Sequence, residues 1–258
     1  MRFKIKLNLE NRQRMLPMDY QYYIGAWIYK IIGNADREFA QFLHSEGYKD
    51  GNKSFKFFNY SPLVIGRPIL WKEKSLFEVK LNTIELQVSF LITEIAEKFI
   101  IGLFNNQEVY IGDRFNGLDL KVVQVERLTE PIFNSTMNYK ATSPVVISYL
   151  PEDEKHAKYL SPNDDLFDGY LIRHILQKFN TLPYNKTNIS ENEIAFKLQS
   201  EIKSKLTTIK PYTSAQSKIR GYKFYFELKA PIEVHKMIYG AGFGEKNSVG
   251  FGWCEVNE

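Results

Sequence analysis

The first half of the chain changes between a two-residue and a helical hydrophobic period. From Arg2 to Leu9, apolar and polar residues alternate strictly, which is typical of a half-buried β-strand. Beyond it, the spacing predicts helices over residues 20–32, 36–45 and 90–105, and strands over residues 54–60, 76–81, 109–111 and 118–128. The resulting order of strand, helix, strand, strand, helix and strand is that of a ferredoxin-like domain.

The second half repeats this order of elements without a residue-by-residue repeat. Its pattern predicts strands over residues 139–141, 145–149, 195–203, 218–228 and 251–256, and helices over residues 164–179 and 232–239. We therefore predict an α+β fold of two tandem ferredoxin-like (RRM-like) domains, residues 1–129 and 130–258. Each is expected to be an antiparallel sheet with helices on one face.

Composition describes an ordinary globular chain whose charge is unevenly distributed. The 258 residues are 44% hydrophobic and carry a net charge of +4. Residues 197–246 hold ten Lys or Arg against four Asp or Glu, which suggests an anionic partner, although a solvated lysine face also explains such a segment. The single cysteine, Cys254, excludes a disulfide scaffold.

No segment predicts membrane insertion or export. The most apolar stretch, residues 90–104, is interrupted by Glu94, Glu97 and Lys98, so it cannot cross a bilayer. The first ten residues lack the continuous apolar core of a signal peptide. We expect a cytoplasmic protein.

The most specific motif is a glycine-rich segment over residues 239–253. Its five glycines allow positive φ angles and a close approach of another backbone. Successive free amides in such a turn can bind an anion, and Lys246 adds a full charge; alternatively, the segment is a hairpin tip or a helix cap. A dinucleotide-binding fingerprint is excluded, because only 14 residues follow Gly244.

Among the four histidines, His44 is the best candidate for acid–base chemistry. It shares a polar stripe with Arg37 and Gln41 on the second predicted helix. In the last turn of that helix it can either cap the helix as an imidazolium or shuttle a proton. No spacing of His, Cys, Asp or Glu suggests a metal site. The other histidines are expected at the surface or in structural roles: His156, His174 and His235.

Several segments together resemble one known family. Residues 242–252 read GFGEKNSVGFG and are similar to the glycine-rich signature of the CRISPR-associated repeat-RNA endoribonucleases. These form the sixth Cas family within the repeat-associated mysterious protein superfamily. Residues 21–44, 56–61 and 143–145 are also similar to that family, so the resemblance covers almost the whole chain.

The resemblance implies metal-independent cleavage of precursor RNA within its CRISPR repeats, without a cofactor. The ribose 2′-hydroxyl would attack the adjacent phosphorus, leaving a cyclic phosphate or 3′-phosphate and a 5′-hydroxyl end. By motif position the catalytic residues are Tyr29 to orient the phosphate or nucleophile, His44 to move a proton, and Lys56 to neutralise the phosphorane. Lys53 or Lys49 could replace Lys56, because the loop after His44 is longer than the family pattern leads us to expect.

The expected partner is CRISPR repeat RNA, both as precursor and as processed guide, with other interference-complex subunits as further candidates. Basic and glycine-loop residues of the second half, interleaved with tyrosines, are expected to contact it: Lys246, Asn247, Ser248, Gly242, Gly244, Arg220, Lys223, Lys218 and Lys210. An alternative is a non-cleaving RNA-binding subunit of a CRISPR ribonucleoprotein complex. No membrane partner is expected, and both a monomer and a homodimer remain open.

Overall fold

The structure, a computed structural model, describes residues 1–10, 12–51, 53–154, 156–184 and 187–257. Its helices are α1 (Gln21–Ala35), α2 (Arg37–Ser45), α3 (Thr93–Asn105), α4 (Phe167–Asn180) and α5 (Ile232–Ala241). Its strands are β1 (Arg2–Leu9), β2 (Met15–Pro17), β3 (Tyr48–Asp50), β4 (Lys53–Phe55), β5 (Phe58–Tyr60), β6 (Ile69–Trp71), β7 (Leu76–Glu78), β8 (Thr83–Phe90), β9 (Glu108–Gly112), β10 (Gly117–Leu128), β11 (Thr136–Ala141), β12 (Ser148–Tyr149), β13 (Lys158–Tyr159), β14 (Ala195–Leu198), β15 (Lys203–Ile209), β16 (Ser217–Lys223), β17 (Tyr225–Lys229) and β18 (Cys254–Val256). Within the described ranges, no helix is both long and apolar enough to cross a membrane.

The N-terminal sheet has the strand order β5-β8-β1-β10-β9, with β1 in the middle. β1 pairs antiparallel with β8 and β10, and its alternation buries Ile5 and Leu7 completely. α1 and α3 pack on this sheet, with the Trp27 ring edge-on to the Phe99 ring at 5.8 Å. Apart from β9, the order of strands is that of a ferredoxin-like domain, which confirms the predicted fold class.

The C-terminal sheet repeats this arrangement in the order β14-β17-β11-β18. Its core is separate from that of the first sheet and includes α4 and α5. Phe226 of β17 stacks between Tyr139 of β11 and Phe243 of the glycine-rich segment, with ring centroids 5.3 and 4.4 Å away. The last segment of the chain is therefore built into the C-terminal core.

The strands β15 and β16 form a hairpin outside the two main sheets, and this hairpin connects the halves of the molecule. The backbone N–H of Thr208 donates to the carboxylate of Asp19 at 3.0 Å, just before α1. At the hairpin tip, the Tyr212 ring lies 6.3 Å from the ring of Phe115, which follows β9.

Arg2 is a second connection between the halves, and it is only 4% exposed. From β1 its guanidinium donates to the carbonyl oxygens of Tyr239 at 3.0 Å and Cys254 at 2.8 Å. The same group lies 3.7 Å from the Tyr239 ring centroid and 4.0 Å from that of Trp253. Burial lowers the pKa of Arg2 to about 10, so the side chain is still charged at neutral pH.

Several predicted elements of the first half were wrong in extent. β8, a central strand, was not predicted at all, although its apolar residues alternate, and the predicted helix start at residue 90 lies inside it. The predicted strand 54–60 is two strands, because Phe57 turns the chain with a φ of 51°. The predicted strand 76–81 is the shorter β7, which pairs with β2 and β6. α1 continues through Gly33 to Ala35 instead of ending at residue 32.

In the second half, four predicted strands are divided or shortened. Residues 195–203 and 218–228 each contain one strand of the main sheet and part of the β15–β16 hairpin. In the segment 145–149 only β12 is a strand, and Val145 makes an isolated bridge to Tyr222. The last strand begins at Cys254 rather than at residue 251. A continuous β pattern does not reveal where a chain leaves one sheet for another.

Candidate active site

Tyr29 and His44 are brought together by α1 and α2. The carboxylate of Asp36 accepts the backbone N–H of Phe39 at 3.0 Å, and this N-cap sets the start of α2. His44 lies exposed in the last turn, with its ring centroid 4.9 Å from that of Tyr29 and the ring planes at 84°. The two rings therefore meet edge to face beside the C-terminal end of α2.

Lys56 reaches the same place from the short segment between β4 and β5. Gly47, just after α2, has a φ of +61°, which favours glycine. A Cβ atom there would lie 2.9 Å from the Lys56 Nζ atom and 2.7 Å from the Phe55 carbonyl oxygen. The Lys56 side chain thus packs over Gly47, three residues after His44. Glycine is required at this position for the close approach.

The surroundings of Tyr29, His44 and Lys56 change the pKa values of two of these residues. Burial, together with the nearby Lys49 charge, lowers the pKa of Lys56 to about 8, while Glu46 opposes this shift. Burial raises the pKa of Tyr29 to about 12, opposed by a hydrogen bond with the Ser248 side chain. At neutral pH the cluster therefore has an ammonium group, a neutral phenol and an exposed imidazole.

The other two candidate lysines lie on the β3–β4 hairpin in different settings. The Lys49 Nζ atom lies 3.3 Å from a carboxylate oxygen of Glu46, and both side chains are more than half exposed. Lys53 is half-buried and lines a cavity together with Lys56. Lys49 is thus paired with the residue that ends α2, whereas the Lys56 side chain lies against Gly47, the next residue.

The glycine-rich segment, residues 242–252 and here called the glycine loop, is pressed against α1. A Cβ atom on Gly25 of α1 would lie 2.6 Å from the Ser248 carbonyl oxygen and 2.9 Å from the Tyr60 hydroxyl oxygen. The Tyr60 hydroxyl in turn donates to the Gln21 carbonyl at 2.6 Å. The absence of a side chain at Gly25 lets the loop place Ser248 beside Tyr29.

A buried lysine holds the glycine loop from the C-terminal side. Lys178 of α4 is 3% exposed, and its Nζ atom donates to the Ala241 and Gly242 carbonyls at 3.0 and 2.8 Å and to Asn247 Oδ1 at 2.6 Å. The Asn247 amide nitrogen donates to the carbonyls of Phe243 and Phe251. Asn247 is therefore tied up inside the loop, and the expected contact between its side chain and RNA is corrected to a structural role.

Lys178 was not identified from the sequence. A lysine on an amphipathic helix normally lies on the solvated face, and burial lowers the pKa of this one to about 7. The spacing of Lys178 could have indicated its burial. It shares a face of α4 with Leu171, His174 and Ile175, which are also buried.

The remaining loop residues differ in accessibility. Gly242 and Gly244 are buried, with φ angles of 84° and 71°, so they shape the loop from inside. Lys246 is exposed, and Ser248 is half-buried beside Tyr29. Two of the five predicted loop positions thus present a side chain at the surface next to the cluster.

The four other predicted RNA-binding residues all belong to the β15–β16 hairpin or its turn. Lys218 and Arg220 are exposed, with Arg220 donating to the Ser204 hydroxyl at 2.8 Å, and Lys210 is exposed with a φ of 50°. Lys223 is half-buried and lies directly opposite Lys203 in the strand pairing.

Like charges accumulate around Lys223. Burial lowers the pKa of Lys223, and the charges of Lys205, Lys140 and Lys203 lower it further. Lys140, which lies on β11, was not predicted, because its proximity depends on how the hairpin lies against the sheet. These four lysines, here called the lysine cluster, form a site at which an anion would relieve mutual repulsion.

The other histidines have structural positions. His174 Nε2 lies 2.9 Å from the Gly244 carbonyl oxygen, and His235 Nδ1 lies 2.9 Å from the Tyr139 hydroxyl. His156 is exposed. Throughout the part of the chain that the structure describes, no three His, Cys, Asp or Glu side chains are grouped as a metal site would require.

Fold and site together define a class: a tandem ferredoxin-like protein in which a tyrosine, a histidine and a lysine meet beside a glycine loop. Residues 128–256 match the family model for the C-terminal part of the CRISPR-associated protein Cas6. Residues 15–119 match the family model for the N-terminal part of the same protein. The chain belongs to the Cas6 family, which confirms the resemblance seen in the sequence.

Individual relatives agree with this membership. The chain is 27% identical over 259 residues to CRISPR-associated endoribonuclease Cas6 1 of Methanocaldococcus jannaschii, covering 98% of this chain and 91% of the relative. It is 28% identical over 268 residues to the CRISPR-associated endoribonuclease Cas6 of Pyrococcus furiosus, covering 99% and 90%. A solved structure described as a RAMP protein binding different RNA substrates shares the fold, with a TM-score of 0.82, 19% identity and full coverage of both chains.

Proposed function

We propose that this protein is an endoribonuclease that cleaves CRISPR precursor RNA within its repeats. The observation that carries the proposal is the meeting of Tyr29, His44 and Lys56 beside the glycine loop, in a member of the Cas6 family. The two relatives described above, which match nearly the whole chain, bear the name endoribonuclease.

The reaction that suits these side chains is an internal transesterification without a metal ion. The substrate's 2′-hydroxyl attacks the neighbouring phosphorus, the bond to the 5′-oxygen breaks, and a 2′,3′-cyclic phosphate and a 5′-hydroxyl end result. His44 moves a proton to or from these oxygens, and the Lys56 ammonium stabilises the negative charge that develops on the phosphorane. Tyr29 is a neutral phenol at its raised pKa, so it orients by hydrogen bonding.

The binding surface in this proposal has two parts. Lys246 and Ser248 lie at the cleavage site, and the lysine cluster with Arg220, Lys218 and Lys210 extends along the hairpin. Since the hairpin meets the chain at Asp19 and the glycine loop lies against Gly25, both surfaces flank the first turns of α1. RNA bound along the hairpin would then pass Tyr29, His44 and Lys56. In this proposal the two domains, residues 1–129 and 130–258, lie on either side of the RNA.

The deciding experiment is incubation with the CRISPR repeat RNA encoded beside the protein's own gene, in the presence of EDTA. We expect cleavage at one position and a 5′-hydroxyl on the downstream fragment. Replacing the ribose just upstream of the cut by deoxyribose should stop cleavage and leave binding intact. Cleavage of the deoxy substrate, or complete inhibition by EDTA, would refute the mechanism.

The variant His44→Ala tests the assigned residue. Loss of a general acid or base typically slows a reaction by roughly 10²–10⁴-fold, so we expect a fall of that size in the single-turnover rate. RNA affinity should be largely unchanged, because in this proposal the phosphates are held by lysines and not by the exposed His44. Gln41→Ala, one turn earlier on the same exposed face, is the matched control and should cleave normally. An unchanged rate in His44→Ala would show that His44 is structural and that the cleavage comes from elsewhere, whereas the non-cleaving RNA-binding subunit would bind the repeat without cutting it in the wild type.

A further inference from the structure

A cavity of about 410 Å³ lies next to Tyr29, His44 and Lys56, here called the catalytic cluster, and most of its lining has no role in the chemistry described above. It is enclosed by four elements of the two halves: the segment Lys53–Phe58, the segment Ser148–Leu150, α4 and the glycine loop. Its volume lies within the range of roughly 300–1,000 Å³ that is usual for small-molecule sites.

The lining of this cavity is strongly cationic. It includes Lys53, Lys56, Lys178 and Lys246 against one carboxylate, that of Glu245. Glu245 is engaged with Ser148, whose hydroxyl donates to it at 2.8 Å. None of the four lysines forms an ion pair with a carboxylate of the described residues. Lys178 is held by oxygen atoms of the glycine loop at a lowered pKa, so the charge available to an anion comes from Lys53, Lys56 and Lys246.

The same cavity also offers surfaces for a planar ring. Tyr149 contributes a half-buried ring, which packs against Tyr170 at 5.4 Å, and Phe55 lies deeper. His174 also lines the cavity; it is 4% exposed, and its Nδ1 atom has no hydrogen-bonding partner within the described structure. Burial lowers the pKa of His174 to about 3, so the ring is neutral. Since Nε2 lies against the Gly244 carbonyl and donates to it, Nδ1 is an acceptor.

We propose that this cavity binds one unpaired nucleotide of the RNA, the neighbour of the cleaved bond, with its phosphate near Lys53 and Lys246 and its base against Tyr149. The inference rests on the proposed function and adds a subsite to it. Lys56 and Ser248 belong both to the cavity lining and to the catalytic cluster. A nucleotide in the cavity is therefore contiguous with the phosphate that Lys56 contacts.

The test combines protein variants with RNAs that lack one base. A repeat RNA made uncleavable by the upstream deoxyribose carries a single abasic site, moved through every position of the repeat. Its affinity is measured for the wild type, Tyr149→Leu and Tyr149→Phe. Tyr184→Leu is the matched control, because that ring is 85% exposed and lies outside the cavity.

In the wild type, we expect one abasic position to weaken binding roughly 5- to 100-fold, the range for losing one base–aromatic stack. In Tyr149→Leu the same abasic site should cost at most about twofold, because the ring on which the base stacks is already missing; a twofold difference is about the error of additivity. Tyr149→Phe and Tyr184→Leu should behave as the wild type does. Lys53→Ala should weaken the binding of the intact repeat RNA.

The outcomes separate the subsite from the proposed function. If every abasic site weakens binding by the same factor in Tyr149→Leu as in the wild type, the cavity does not hold a base and the inference is wrong. If the coupled position lies away from the mapped cut, the assignment to the flanking nucleotide is wrong. Because binding is measured on uncleavable RNA, failure of the intact RNA to be cut would refute only the proposed function.

Discussion

At Lys56, burial and the neighbouring charge of Lys49 both favour the neutral amine. A pKa of about 8 still leaves the ammonium predominant at neutral pH, where it can stabilise a phosphorane. A bound phosphate favours the charged form, so substrate and lysine stabilise each other. This environment makes the cation available to RNA without fixing it in an internal ion pair.

We predict that kcat/KM, which reports the free protein, falls as the pH rises through about 8, because Lys56 loses its proton and its charge there. In Lys49→Ala the fall should move to higher pH, since removing a like charge raises the pKa of Lys56. In Lys56→Arg it should disappear, because a guanidinium does not titrate in this range. The measurement is kcat/KM across neutral and alkaline pH.

This profile also distinguishes the candidate lysines. If Lys49→Ala abolishes cleavage while Lys56→Ala retains it, the phosphate is held by the exposed lysine of the β3–β4 hairpin. A fall at alkaline pH that is identical in all variants would show that another group titrates.

The sequence named candidate residues for the site but not the residues that support them. Tyr29, His44 and Lys56 were named from a family resemblance, while position alone left His44 between helix cap and proton shuttle. Lys178 and the internal role of Asn247 could not be predicted, because they depend on how α4 meets the glycine loop. Residue type and spacing indicate chemistry, but they do not say which polar groups are used up inside the fold.

Among the elements, α1 is the support on which the site is assembled. It contributes Tyr29, receives the glycine loop at Gly25, and is followed directly by α2 with His44. A change in how the loop lies on α1 is therefore a change in the distance between Ser248 and Tyr29.

We predict that Gly25→Ala impairs cleavage at least tenfold and lowers the free energy of unfolding by about 1–3 kcal/mol, as overpacking does. The added methyl group would meet the Ser248 carbonyl oxygen at 2.6 Å, so the loop must move away from α1. Single-turnover rates and denaturant unfolding measure the two effects.

Gly33→Ala provides the control on the same helix. Its methyl group would make an ordinary contact of 3.6 Å with the Cβ atom of Ala40, and alanine is favoured over glycine inside helices by about 1 kcal/mol. We expect normal cleavage and equal or higher stability. Equal losses in both variants would mean that the effect of Gly25→Ala comes from α1 itself and not from the loop.

Element prediction succeeded where a segment belongs to one layer and failed where the chain changes partners. β1, α3 and β10 lie within a few residues of their predicted limits. The run 54–60 contains no proline or glycine, so nothing local indicated the positive φ of Phe57, which the surrounding core imposes. β8 has the alternation of a strand, but no strand was predicted there, because the helical pattern that follows was extended back to residue 90.

At the scale of the molecule, Arg2 holds the halves together with a buried charge. We predict that Arg2→Met lowers the free energy of unfolding by about 3 kcal/mol, because two buried carbonyls lose their donors and two ring contacts disappear. Lys4→Ala on the same strand removes an ion pair with Glu126 near the surface and should cost far less stability. Denaturant unfolding compares them, and equal losses would contradict the role of Arg2.

In the proposed function, the lysine cluster extends the RNA-binding surface beyond the catalytic cluster. Each phosphate contact with single-stranded RNA releases counterions, so that log K falls with log salt by about 0.7 per contact. We predict that Lys223→Ala weakens binding and makes this slope shallower by about that amount, with the rate of cleavage of bound RNA unchanged. Lys236→Ala, an exposed lysine on α5, is the control of equal charge and should keep the wild-type slope. If both variants shift the slope alike, the hairpin acts through net charge and not through a phosphate contact at Lys223.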